Sequence, residues 1–274
     1  MTHFPTLFDG RPLVAPGVHD ALSAVQAEAA GFRALFVGGS GIAFSRLARP
    51  DVGLLTLPEM ADAIARIADR VGTPLIADAD SGFGNAAHVA RTARAYARAG
   101  AAVMQLEDQA PLKPVDALAS RPLVSVADMV GRIRAAKDAA SILVSARTDA
   151  PATRPFAETL DRAHAYVEAG ADLLFVEGLS DAAELAHLAK TFGPRLPLVH
   201  NLMEGGRSPF ATVPEAHAAG FTLLLFPATL IRAHVAANAA ALAALADGRA
   251  PAITADVAAT IGAPAWLAAM ARYA

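Results

Sequence analysis

The chain of 274 residues contains no cysteine. That excludes disulfides, thiolate metal sites and any cysteine nucleophile or acid, and it suits a reducing cytoplasm. Aromatic residues are scarce at 6%, with a single tryptophan, so the core must be built mainly from aliphatic and alanine side chains. Positive charge is not in excess. The net charge of −3 and a pI near 6.2 argue against nucleic acid or another polyanion as partner. Mean hydropathy is positive at +0.38, yet no stretch of about 18 uncharged apolar residues occurs, which argues against a membrane partner. Met1-Thr2-His3-Phe4-Pro5 has neither the basic nor the apolar region of a secretory signal. The phosphate-cradling patterns GxGxxG, after the first strand, and GxxxxGK[ST] are also missing.

What is present is an alternation. Short apolar runs read as buried parallel strands: Leu13 to Gly17, Ala34 to Gly39, Leu75 to Asp80, Val103 to Asp108, Ile142 to Asp149, Leu173 to Gly178, Leu198 to Met203 and Leu223 to Pro227. Between them lie alanine-rich stretches with helical spacing, such as Ala86 to Ala99 and Pro155 to Ala169. Four of the helices stop in the same way, with Gly31, Gly100, Gly170 or Gly220 just past the last turn and a strand directly after. Eight strand candidates joined by helices over about 250 residues predict a (β/α)8 TIM-type barrel; an open doubly wound sheet is the alternative. No linker divides the chain, so one domain is expected over 1–274, with the barrel at about 10–235 and C-terminal helices at about 236–274. The Ala/Leu-rich Ile231 to Asp247 must bury more than one face. Either subunit packing or its own barrel supplies the cover.

In such barrels the active site sits at the C-terminal ends of the strands. There the sequence places Asp78 and Asp80, Glu107 and Asp108, Arg147 and Asp149, Glu177, and then His200, Asn201 and Glu204. Asp at i and i+2 on a strand share a face. Any single rim acid can cap a helix or brace a loop, but capping needs only one, and the pair points to a shared cation. Oxygen donors without His or Cys indicate Mg²⁺ (or Mn²⁺). Asp108 and Asp149 read as caps or braces, and His19 and His200 as packed histidines. Arg147 is either a structural rim pair or a bidentate clamp for a substrate carboxylate. Val37-Gly38-Gly39-Ser40-Gly41 is either a tight turn or a set of N–H groups around a carboxylate or enolate oxygen.

Together these segments resemble the isocitrate lyase/phosphoenolpyruvate mutase superfamily over roughly residues 10–235. The motifs run in order: Pro16-Gly17-Val18-His19-Asp20-Ala21-Leu22-Ser23, Phe36 to Gly41, Pro50-Asp51-Val52-Gly53 and Asp78-Ala-Asp80-Ser-Gly82-Phe-Gly84-Asn85. Then follow Leu106-Glu107-Asp108-Gln109, Ala146-Arg147-Thr148-Asp149-Ala150, Val176-Glu177-Gly178 and Asn201-Leu-Met-Glu204-Gly205-Gly206. The resemblance implies a Mg²⁺-binding barrel, a homotetramer (dimer of dimers) with helices swapped between subunits, and cleavage of C–C or P–C bonds through the enolate of a 2-oxo acid. It makes Asp78, Asp80 and Glu107 the metal-site candidates, with Asp78 the best direct ligand and the others often acting through water. Gly38, Gly39, Ser40, Glu177 and Asn201 become the substrate-binding candidates; Arg147, Asp51 and Lys113 become the catalytic ones.

The chain departs from that pattern at one motif. Methylisocitrate-type lyases carry K-K/R-C-G-H on a loop after strand four, and its Cys is the general acid. Here the stretch reads Gln109-Ala-Pro111-Leu-Lys113-Pro114-Val-Asp116-Ala. Gly38, too, stands where those lyases often have serine. The expectation is a Mg²⁺-dependent C–C bond-cleaving enzyme on a small 2-oxo or 2-hydroxy dicarboxylate, first an oxaloacetate decarboxylase, which needs no cysteine. A methylisocitrate- or dimethylmalate-type lyase with Asp116, Lys113 or water as the acid is the alternative. A phosphonopyruvate enzyme and a non-catalytic metal-binding protein complete the set.

Overall fold

The computed structural model describes residues 4–110 and 122–273. Lys113 and Asp116 lie outside the described residues. Eight strands form where the apolar runs predict them: β1 (Leu13–Pro16), β2 (Leu35–Val37), β3 (Leu75–Asp78), β4 (Ala101–Glu107), β5 (Leu143–Thr148), β6 (Leu173–Val176), β7 (Leu198–Asn201) and β8 (Leu223–Phe226). All neighbours pair in parallel in the order β1-β8-β7-β6-β5-β4-β3-β2. A bridge between Gly17 and Phe36 draws β1 and β2 together at the seam, and Val18 N–H donates to the Phe36 carbonyl at 2.8 Å. The sheet is a TIM-type barrel and not an open doubly wound sheet.

Helices fill the intervals: α1 (Ala21–Ala29), α2 (Gly39–Ile42), α3 (Leu57–Ala68), α4 (Ala86–Ala99), α5 (Val126–Ala139), α6 (Phe156–Glu168), α7 (Ala182–Phe192) and α8 (Val213–Ala218). The four helix-stopping glycines take the left-handed conformation that only glycine adopts without strain, with φ between +87° at Gly31 and +102° at Gly170.

Strand alternation divides the interior in two. Ala15, Phe36, Ile76, Val103, Phe175, Val199 and Leu225 form one buried cluster inside the barrel. Residues one position along, such as Val37, Ala77, Met104 and Val144, pack outward against the helices. The helical turn Phe4–Leu7, which periodicity did not reveal, inserts Phe4 and Leu7 into the inner cluster. Arg33, just before β2, donates to the Leu7 carbonyl, which sets this plug at the end where the strands begin. Each of the two plug side chains contributes about 1.5–3 kcal/mol by burial. The floor is thus dry, and polar chemistry is confined to the opposite mouth.

After β8 come α9 (Thr229–Ala246), α10 (Val257–Thr260) and α11 (Ala263–Ala271). α9 is long and apolar enough to cross a membrane by length and composition, although it carries Arg232 and His234. Of these three helices only Ile231 is buried. Leu242, Trp266, Leu267 and Met270 are each more than half exposed, so in this chain the barrel does not supply the cover that α9 requires.

Candidate active site

The inward positions that are apolar near the floor turn polar toward the mouth. Along β4 the inner face runs Val103, Gln105, Glu107; along β5 it runs Leu143, Ser145, Arg147; β6 leads to Glu177 and β7 ends at Asn201. Register sets Asp78 beside Gln105, and Glu107 beside Arg147. The expectation that Asp78 and Asp80 share a face by strand alternation needs correction. β3 ends at Asp78, and Asp80 follows in a left-handed turn with φ +45°. Its N–H lies 3.3 Å from Asp78 Oδ1, so the turn and not the pleat brings the two residues together.

Charge is dense here. Burial, then Asp80, and more weakly Asp51, push the Asp78 carboxyl up to about 6 against the pull of Arg147. Burial also drives Glu107 well above the usual carboxylate range, opposed by Arg147 and reinforced by Asp149, Asp80 and Asp78. Glu107 Oε2 lies 3.5 Å from Arg147 Nε, while its Oε1 is buried with no hydrogen-bond partner among the described residues. A cavity of about 350 Å³ opens beside Asp80 and Glu107, with Gly53, Leu55, Thr56 and Phe83 among its walls.

Arg147 is held from one side. Asp149, fully buried, accepts from its Nε and Nη2, both at 3.0 Å, and the guanidinium lies over the Phe175 ring. Burial disfavours the charge, yet Asp149, Glu107 and Glu177 outweigh it and hold Arg147 protonated well above its ordinary value. Glu177 in turn accepts from Asn201 Nδ2 at 2.9 Å, and Asn201 Oδ1 is buried with no hydrogen-bond partner among the described residues. The sequence placed Asp149 as a cap or brace without naming its partner. The i, i+2 spacing of Arg147 and Asp149 is the signal that could have found the pair, although Asp149, like Asp80, lies just past the end of its strand.

Asp108 braces the barrel. It accepts from Thr148 Oγ1 at 2.7 Å, Tyr166 OH at 2.8 Å and the Asp149 N–H at 3.0 Å, and so ties the ends of β4 and β5 to α6. His200 faces the helices and packs against Phe210 and Phe221, with Nε2 2.8 Å from Ser208 Oγ.

The Gly38–Ser40 turn opens α2. Gly39 donates its N–H to Asp78 Oδ2 at 3.1 Å. A Cβ at Gly38 would meet Phe36 Cε1 at 2.7 Å, so the ring occupies the space a serine there would need. Ser40 borders a different space, a groove of about 1010 Å³ beneath α9.

The oxygen-only donor set and the orphaned Glu107 Oε1 fit a hard divalent cation. Among the described residues no three acids or histidines converge as a closed protein ligand set.

Comparison with known proteins follows the same lines. The family model described as phosphoenolpyruvate phosphomutase matches residues 4–246. A 2,3-dimethylmalate lyase of Eubacterium barkeri is 43% identical over 222 residues, covering 80% of this chain and 76% of that protein. Oxaloacetate acetylhydrolase in complex with the inhibitor 3,3-difluorooxalacetate superposes with a TM-score of 0.90 at 33% identity, over 97% of this chain and 94% of that one. Phosphonopyruvate hydrolase in complex with oxalate and Mg²⁺ superposes with a TM-score of 0.88 at 29% identity, over 99% and 98%. The chain therefore belongs to the isocitrate lyase/phosphoenolpyruvate mutase superfamily and is a Cys-less enzyme of its lyase type, cleaving a carbon–carbon or carbon–phosphorus bond in a small 2-oxo or 2-hydroxy dicarboxylate.

Proposed function

We propose that the chain is a Mg²⁺-dependent (or Mn²⁺-dependent) decarboxylase of oxaloacetate. The observation that carries this reading is an intact carboxylate–arginine mouth in a chain without cysteine. Loss of CO₂ from a 2-oxo acid needs an electron sink and a carboxylate clamp, but no protein acid toward a leaving carbanion. Asp78 would hold the cation directly, with Asp80 and Glu107 through water. When bound, the metal supplies a Lewis acid that draws electron density onto a 2-oxo oxygen.

The chain's own residues do the rest. Arg147, its Nε and Nη2 taken by Asp149, meets the substrate carboxylate with its Nη1 edge and stabilises the enolate oxygen charge. Gly38 and Ser40 offer backbone N–H groups at the start of α2; that of Gly39 already serves Asp78. Asp51 adds negative charge beside Asp78 and keeps the cation bound. As the C3–C4 bond breaks, its electron pair forms the C2=C3 bond, the C2=O pair moves onto the oxygen to give the enolate, and CO₂ departs; C3 then takes a proton from water to give pyruvate. Lys113 belongs to a segment whose flanks meet at the mouth, where Ala110 N–H donates to the Pro122 carbonyl at 2.7 Å.

The Glu177–Asn201 hydrogen bond, on residues that align with the lyase branch, favours a second reading. In it a substituted 2-hydroxy diacid is cleaved, with Asp116, Lys113 or water as the acid. Release of the 2-oxo acid followed by NMR (pyruvate, or glyoxylate from isocitrate), with Mg²⁺ and with EDTA, separates the two over a panel of oxaloacetate, methylisocitrate, isocitrate, dimethylmalate and phosphonopyruvate. Metal-dependent turnover of oxaloacetate alone supports the first reading, and turnover of a hydroxy acid replaces it with the second.

The assembly we infer is a homotetramer, a dimer of dimers, of single-domain subunits in the cytoplasm, with no membrane or nucleic-acid partner. The exposed apolar side chains of α9 and α11 support helix exchange between subunits. Light scattering on the purified chain would show about four times the monomer mass of 28.1 kDa.

A further inference from the structure

The segment that carries Asp78 and Asp80 is bonded carbonyl by carbonyl. The Asp78 carbonyl accepts from Tyr96 OH at 2.7 Å, and that of Ala79 from the Gly82 N–H at 2.7 Å. The Asp80 carbonyl accepts from the Glu107 N–H at 2.9 Å. Ser81 is held by Arg132 Nη1 at 3.0 Å, and the Gly82 carbonyl lies 3.1 Å from Thr92 Oγ1, whose one proton it shares with the His88 carbonyl at 3.0 Å. Three of these five donors are buried side chains of α4 and α5, on the far side of the sheet from the mouth.

The segment needs such fastening. Asp80, Gly82, Phe83 and Gly84 all have positive φ, and for the two non-glycine residues this conformation is strained. That conformation is what sets the Asp80 N–H 3.3 Å from Asp78 Oδ1. Arg132 is also costly where it stands. It is 4% exposed, its Nε has no hydrogen-bond partner among the described residues, and the acid paired with it among them, Asp128, lies 4.0 Å away on the surface. A buried guanidinium so poorly paired contributes little to stability. Among the described residues its one short contact is to the Ser81 carbonyl, next to Asp80.

We propose that Tyr96, Arg132 and Thr92 are positioning residues: from behind the sheet they lock the backbone of Asp78 to Gly82 so that Asp78 and Asp80 present their carboxylates to a divalent cation. This rests on the metal site proposed above. It assigns to α4 and α5 the part that outer-sphere partners play at metal centres, where their loss typically costs about 10–100-fold in affinity or activity. Tyr96→Phe and Thr92→Val each remove a single hydroxyl, while Arg132→Met removes the guanidinium and keeps most of the stem volume.

Mn²⁺ binding measured by electron paramagnetic resonance, without substrate, provides a readout independent of turnover. Wild-type protein should bind Mn²⁺. Tyr96→Phe and Arg132→Met should each weaken binding about 10-fold or more and lower kcat more than they raise KM, and Arg132→Lys should recover part of the loss. If either variant is unstable, Thr92→Val carries the same prediction with the least change in packing. Wild-type affinity in folded Tyr96→Phe and Thr92→Val proteins would overturn the proposal and leave the metal site standing. Absence of Mn²⁺ binding by the wild-type chain would overturn both.

Discussion

The two halves of the barrel mouth are built on different principles. On the β3–β4 side, Asp78, Asp80 and Glu107 crowd together, one of them in a strained turn, with burial and mutual repulsion raising Asp78 and Glu107. On the β5–β7 side the charges are matched: Asp149 grips Arg147, and Asn201 donates to Glu177. The first half is the one that the proposed cation would occupy. The second is already a finished hydrogen-bonded clamp, preorganised for an anion. In the function proposed above, the first side would hold the cation, and Arg147 on the second would clamp the substrate carboxylate and stabilise the enolate oxygen.

The largest effect expected is on the first half. Asp80→Ala should cut turnover by about 10³-fold, toward the upper end of what one preorganised charge contributes, with the circular dichroism of the barrel retained. Full activity in this variant would remove the metal-site assignment. On the second half, Arg147→Lys should lower kcat/KM by about 10²-fold through both terms, because an ammonium cannot reproduce a planar fork; steady-state kinetics checks this. If Arg147→Lys costs more than Asp80→Ala, the roles of the two halves are exchanged.

A smaller loss, about 10-fold in kcat, should follow Asn201→Ala, which leaves a Glu177 oxygen without its donor. If the effect falls on hydroxy-acid substrates and spares oxaloacetate, the pair belongs to the lyase reading.

The smallest effect concerns stability. Burial lowers the His200 imidazole from 6.5 to about 4, so the folded protein keeps it neutral while the unfolded chain protonates it. Its stabilisation is full above about pH 6.5 and is lost as pH falls toward 4, by at most about 3 kcal/mol. Calorimetry across that window should show Tm falling with pH, and His200→Phe should flatten the slope.

The barrel was legible because its strands are buried on both sides and therefore written as continuous apolar runs, with Gly31, Gly100, Gly170 and Gly220 punctuating the helices before them. The rim acids were legible for the same reason, since the strand ends mark the mouth. Three features were not. The plug of Phe4 and Leu7 is too short to show a period. Tyr96 looks like any core residue of α4 until that helix is laid against β3. Nothing in the spacing of Arg132 within α5 announces that its guanidinium ends beside Ser81.

By itself, the sequence determined the period of the elements, the parallel order of the barrel, the rim on which polar groups collect, and the absence of a thiol acid. These depend on local pattern and on the right-handed rule for β–α–β connections. Only the tertiary structure decided that a left-handed turn places Asp80, that Asp149 takes one edge of Arg147, and that helices behind the sheet hold the Asp78–Gly82 backbone. Each of these joins groups through directional contacts of about 3 Å, and such contacts are set by packing between elements, which no one-dimensional period encodes.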